Sequence, residues 1–202
     1  MALIDKLTAI GNAIRTKTGT TDLIPLANMP QAILNIEGGG ASEGNYKEVF
    51  NALNNASLMN SDIERIDFYI SNPFTSHNNF LRNTKKLKYV KGINMSNSTA
   101  IRFMFSGSFI ETIEDPLDFS KVNDTTSGFA CDHLTEIRFV SGTIKVNINF
   151  NRCSTLSAAS IQSIIDGLAT VTTAQTLTLN SAIILTDAQK SSITAKGWTL
   201  AQ

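Results

Sequence analysis

Residues 94–113 and 118–137 carry the same apolar positions at an offset of 24. Phe105 lines up with Phe129, Ile110 with Leu134 and Ile113 with Ile137, with polar residues between them. The order extends weakly in both directions. Upstream, Phe80, Leu87 and Val90 repeat the aromatic–aliphatic–aliphatic sequence. Downstream, Phe150, Cys153 and Leu156 restart the unit without completing it. A period in this range is the signature of stacked repeats, because one copy cannot bury its apolar face alone. Degraded copies at the ends are expected, since a terminal copy must present a capped outer face. The pattern points towards a ridged binding surface and away from an enzyme pocket.

The two ends of the chain follow other periods. Leu3, Leu7, Ile10 and Ile14 are spaced 4-3-4, one stripe on a helix. Gly19 stops that helix, and Pro30 suits the first turn of a second one carrying Ile33 and Ile36. Two heptads are too short to hold a helix alone in water. The stripe must therefore bury itself on the second helix, on copies of itself or on a larger partner. Gly38-Gly39-Gly40-Ala41-Ser42-Glu43-Gly44 reads as a flexible linker. Residues 45–80 mix helical and strand spacing, and Phe68-Tyr69-Ile70 is the place where a first strand is expected. Near the C-terminus, Ser157 can cap a helix that puts Ile161, Ile164, Ile165 and Leu168 on one face. Thr176-Leu177-Thr178-Leu179 alternates as a strand. Thr186-Asp187-Ala188-Gln189 is a capping box, Gly197 ends the helix it opens, and Trp198-Thr199-Leu200 reads as a last short strand.

The anchors resemble those of BspA-type leucine-rich repeats. Asp118-Phe119-Ser120-Lys121-Val122-Asn123-Asp124 reads on that family's preamble, and Phe129, Cys131, Leu134 and Ile137 on its anchor set. Phe129 to Leu134 and Phe105 to Ile110 are both one residue shorter than the family's usual spacing. The N-terminal segment from Leu7 through Ile10, Ile14, Arg15 and Lys17 to Gly19, with Met29-Pro30 and Ile33 after it, resembles the N-termini of tail and baseplate proteins. Those proteins belong to phages of Gram-positive bacteria. The end of the chain, Leu185 to Lys190 and Lys196 to Leu200, is similar to the ends of phage-encoded repeat proteins. Together these resemblances imply an α+β protein in three parts. Residues 1–37 would be a helical anchoring or oligomerisation module and 38–45 a linker. Residues 46–202 would form a leucine-rich-repeat solenoid with a strand–helix–strand cap from about 157.

Charge narrows the partners. The chain has 17 basic and 17 acidic residues and no net charge, so no field of one sign is present to steer nucleic acid or an anionic membrane. No stretch approaches the roughly 20 apolar residues of a membrane span. The start, Met1-Ala2-Leu3-Ile4-Asp5-Lys6, has neither the basic region nor the apolar run of a secretory signal.

Candidate chemistry is sparse. The chain has no His-Glu-x-x-His, P-loop, nucleophile elbow or Cys-x-x-Cys motif, and no catalytic residue, metal or cofactor is expected. Cys131-x-His133 offers two ligands where a structural zinc needs four. Glu111, Glu114, Asp115 and Asp118 cluster around Pro116, a density that can bind calcium, although no calcium-loop spacing is matched. Cys131 and Cys153 are 22 apart, near the repeat period, and are expected as buried apolar residues on the same inner rung, with a disulfide as the alternative. Tyr46, Tyr69, Tyr89 and Trp198 are the aromatics available for stacking on sugars, and Trp198 is expected to pack into the cap.

The expectation is a non-enzymatic structural protein of a phage particle, from the tail, baseplate or a fibre. Leu3, Leu7, Ile10 and Ile14 would join it to other virion proteins or to copies of itself as a homo-oligomer. The repeat surface would face a host cell-wall glycan or surface protein, or decorate the particle. The alternatives are a bacterial cell-surface adhesin of the same repeat class and a wall-degrading enzyme carried on the tail.

Overall fold

The computed structural model describes residues 58–67 and 75–202. The stripe of Leu3, Leu7, Ile10 and Ile14, the helix expected after Pro30, the glycine linker and the strand expected at Phe68 all lie outside the described residues.

The described part is mixed α/β. Its first sheet is parallel and three-stranded: β1 (Arg65–Asp67), β2 (Tyr89–Lys91) and β3 (Thr112–Ile113), in that order. Ile66 pairs with Val90 and Val90 with Ile113, and a bridge from Thr112 to Glu136 carries the pairing one step further. Each strand buries one β-branched residue between exposed or half-buried neighbours, as a sheet with one wet face requires.

The same offset recurs in a second segment of each rung, as we call every stretch that pairs with the next. The amides of Ile101, Phe103 and Phe105 each donate at 2.9 Å, to the carbonyls of Asp124, Thr126 and Gly128. One rung earlier, His77, Asn79 and Leu81 donate to Ala100, Arg102 and Met104. Residues 24 apart thus stand in register. The core fills the space between the segments. Leu87, Ile110 and Leu134 are fully buried, and the Phe105 ring stacks on Phe129 at 5.5 Å, which stacks on Phe150 at 4.6 Å. Truncating any one of these rings would cost about 3–5 kcal/mol.

The register corrects the alignment of Phe80 with Phe105. Leu81 stands opposite Phe105, while Phe80 shares the place of Met104: each donates its amide to the carbonyl three residues earlier. At this place the next rung has Gly128. A Cβ there would come within 2.6 Å of Ile101 Cδ1 and 3.0 Å of the Ile101 carbonyl oxygen, so the inward side chain shrinks to nothing.

The second sheet holds β4 (Ile148–Phe150), β5 (Gln175–Leu179) and β6 (Trp198–Ala201), again parallel and in chain order. Phe150 pairs with Leu179, an offset of 29, and Leu177 with Leu200, an offset of 23. The longer step holds helix α1 (Ala158–Gly167), whose N-cap Ser157 accepts from the Ser160 amide. Ile164, Ile165 and Leu168 face the core as expected, but Ile161 is only half-buried. Ser160 takes an inward place instead, and its hydroxyl accepts from the Ile137 amide at 2.9 Å and donates to the Thr135 carbonyl at 3.0 Å. A helix has no free carbonyl to offer there, so the hydroxyl continues the ladder. Helix α2 (Asp187–Ala195) opens on the complete capping box of Thr186 and Gln189. Gly197, at φ +83°, follows it, and a Cβ there would lie 2.4 Å from the Val171 carbonyl oxygen. The two helices and two strands read between Ser157 and Leu200 are thus present, with one helix before each of the last two strands.

Candidate ligand groove

The outward side of β4 and β5, with the matching stretch of the preceding rung, forms a groove of about 630 Å³. Alternation sets its lining. Ile148, Phe150, Leu177 and Leu179 point inward, which turns Asn149, Thr176 and Thr178 outward beside Asn147, Gln175 and Ser127. Two of the amide side chains are held across neighbouring rungs. The Thr176 amide donates to Asn147 Oδ1 at 2.7 Å, and the Asn147 amide donates to Gln175 Oε1 at 3.0 Å. Asn149 Oδ1 accepts from the Asn151 amide at 2.8 Å. With their oxygens engaged, Asn147 and Asn149 have their NH2 groups left to face a ligand. The hydroxyls of Ser127, Thr176 and Thr178 make no hydrogen bond among the described residues.

The one ionisable group in the lining is Asp124. The Thr126 amide and hydroxyl, with the Arg102 guanidinium beyond them, hold its carboxyl below the usual range. Arg102 Nε lies 2.7 Å from Asp124 Oδ2. This pair is one of several that join neighbouring rungs: Lys86 with Asp62, Lys88 with Glu111, Arg138 with Glu114 and Arg152 with Asp132. Each is exposed or half-buried and worth little alone.

One end of the groove leads to a strained aromatic. Asn79, Phe103 and Ser127 occupy one position in three successive rungs, with φ of +58°, +53° and +52°. Asn and Ser tolerate this left-handed conformation better than a bulky ring does. Phe103 is nevertheless there and 36% exposed, with the Arg82 guanidinium 5.1 Å from its ring centroid. It stands one rung before Ser127, at the edge of the groove. Its only mark in the chain is an aromatic two residues before the Phe105 anchor.

The other candidates resolve separately. Glu111 pairs with Lys88 and Glu114 with Arg138, while Asp115 accepts from the Gly92 amide and Asp118 from the Ser120 amide. These four carboxylates do not converge, and no group of three or more His, Cys, Asp or Glu that could hold a metal occurs among the described residues. Cys131 and Cys153 are buried free thiols. Cys153 Sγ donates to the carbonyls of Phe129 and Cys131 at 3.2 and 3.3 Å. The neighbouring Cys153 thiol and burial push Cys131 well above the ordinary thiol range. His133 is exposed against the Phe109 ring, 4.5 Å between centroids, and so is turned away from the buried Cys131. Tyr89 is covered by the Arg65 guanidinium at 3.7 Å, and Trp198 is buried with its indole N–H donating to the Ala169 carbonyl. Tyr46 and Tyr69 lie outside the described residues.

No helix among the described residues is long and apolar enough to cross a membrane. No protein-family model matches the chain, and no curated protein and no solved structure matches it.

Proposed function

We propose that this chain is a non-enzymatic structural protein of a phage particle. Its N-terminal helices attach it, and a leucine-rich-repeat solenoid presents a surface for host binding or particle decoration. The attachment half of the reading is supported by the resemblance of residues 7–33 to tail and baseplate N-termini. The binding half is supported by one observation above the rest. Main-chain pairing repeats at a near-constant offset from rung to rung, which holds outward side chains in a fixed array. A rigid array binds with little ordering cost, and many copies on one particle would add avidity. The groove lining also suits binding better than chemistry: it holds hydroxyls, amides and one carboxylate already engaged by Thr126 and Arg102.

Two measurements test this. Mass spectrometry of purified particles from the strain that carries the gene should find the protein in stoichiometric amount, and its absence would sink the assignment. Solution mass of the full chain and of a chain starting at Gly44 tests the role of Leu3, Leu7, Ile10 and Ile14. An oligomer that becomes a monomer on truncation identifies residues 1–37 as an assembly module. Monomers in both cases would transfer that role to another virion protein.

A further inference from the structure

We infer that the groove over β4 and β5 binds an uncharged, hydroxyl-rich oligosaccharide, with Phe103 as a stacking platform at its end. The inference deepens the host-binding part of the proposed function and rests on it. Four observations carry it.

The lining is almost wholly neutral, and its one carboxylate, Asp124, already faces Arg102 at 2.7 Å. An anionic ligand would meet that carboxylate, and a cationic one would have to displace Arg102. The lining is mainly polar, Val146 and Ile148 aside, so a wholly apolar ligand would strip water from Asn149, Thr176 and Thr178 with nothing in return. What remains is a ligand that both donates and accepts without charge.

The donors are fixed in advance. Asn147 and Asn149 have their oxygens bound to backbone amides, so their NH2 groups stay oriented before a ligand arrives. Donors held in place cost little to order on binding. The length fits as well. Neighbouring strands lie about 4.8 Å apart, so three rungs and the Phe103 position beyond them span about 10–15 Å, the reach of a short oligosaccharide.

Phe103 supplies what hydroxyl and amide groups lack, a flat apolar face for the carbon side of a sugar ring. It keeps a left-handed backbone that its neighbours in register fill with Asn79 and Ser127. Strain kept at a position where the ring is 36% exposed, with the Arg82 guanidinium beside it, is the kind of feature that function retains.

The test is NMR on the full-length ¹⁵N-labelled chain. It would be titrated with tri-N-acetylchitotriose, with maltotriose and with a sulfated heparin tetrasaccharide, to about 10 mM, where even a millimolar site is mostly filled. At least one neutral probe should shift the side-chain NH2 signals of Asn147 and Asn149, and heparin should not. Thr178→Val and Phe103→Asn should each weaken that binding roughly three- to tenfold. Phe103→Asn should do so without loss of stability, which a merely structural ring would not allow. Silence towards both neutral probes, shifts confined to another surface, or equal binding of heparin would overturn the inference. Particles that contain the protein while the groove stays silent would remove the ligand and leave the attachment reading intact. A groove that binds a neutral probe in a protein missing from particles would do the reverse.

Discussion

Phe103 and Ser127 hold the same left-handed backbone conformation one rung apart, at φ +53° and +52°. The pairing of the Phe103 amide with the Thr126 carbonyl locks the two turns in register. A non-glycine residue in this region costs about 1–2 kcal/mol, less where a short polar side chain can bond locally. Phe103→Asn is therefore expected to stabilise the protein by about 0.5–1 kcal/mol. The loss of the exposed Arg82 contact, worth about 0.5 kcal/mol, limits the gain. Urea unfolding would measure it, and a destabilised variant would mean that the covered part of the ring contributes more than the strain costs.

Ser160 and Ser163 of the helix each stand in for a strand carbonyl, accepting from the Ile137 and Phe139 amides at 2.9 Å. Ser160→Ala leaves the buried Ile137 amide without its acceptor, and the expected cost is about 1–3 kcal/mol. Hydrogen exchange at Ile137 should accelerate while the far end of β5 is little changed. Unaltered protection at Ile137 would show that the amide finds another acceptor.

Gly128 is a matter of space. Gly128→Ala pushes a methyl group into Ile101 and its carbonyl, with an expected loss of about 1–3 kcal/mol. Ile101→Val in the same chain should recover part of that loss, because it removes the δ-methyl group that the new Cβ strikes. Strict additivity of the two changes would refute the clash.

His77 makes the protein sensitive to acid. It is buried, with its ring against the edge of Phe80, and burial pushes its pKa from 6.5 down to about 4. Between these values the unfolded chain binds the proton and the folded chain does not, so stability falls as pH drops from about 6.5 towards 4. The full effect is about 3 kcal/mol. His77→Leu should flatten that part of the stability–pH curve, and an unchanged slope would place the titration elsewhere.

The sequence showed best what repeats in apolar residues. Phe105 and Phe129, Ile110 and Leu134, and Ile113 and Ile137 are each buried at the spacing read from the chain, because anchors of equal kind at equal offset can only stack. Ser157 and the Thr186–Gln189 box were legible because capping depends on neighbours within one turn. The register of Phe80 was not. Phe80 and Leu81 are both apolar, and only the amide pairing of the turns decides which one faces Phe105. The inward place of Ser160 was hidden because a serine beside Ile161 reads as the polar side of a helix. The groove was hidden for a different reason. Its Asn, Ser and Thr residues look like ordinary turn residues until strands 29 apart in the chain bring Asn149 beside Thr178.

The step from 23–24 residues to 29 between β4 and β5 changes the length of a rung without changing the pairing of its strands. Ile144 still bridges Leu168 at an offset of 24, so the additional chain is absorbed after α1, between Leu168 and Gln175. The molecule therefore has a built-in tolerance for added length at one place, the exposed stretch between Val171 and Gln175, after the paired residues that follow the helix and before the strand resumes. Foreign peptides, affinity tags or dye-labelled loops inserted there would leave the sheet pairing as it is, which makes this connection the natural point for engineering a displayed surface.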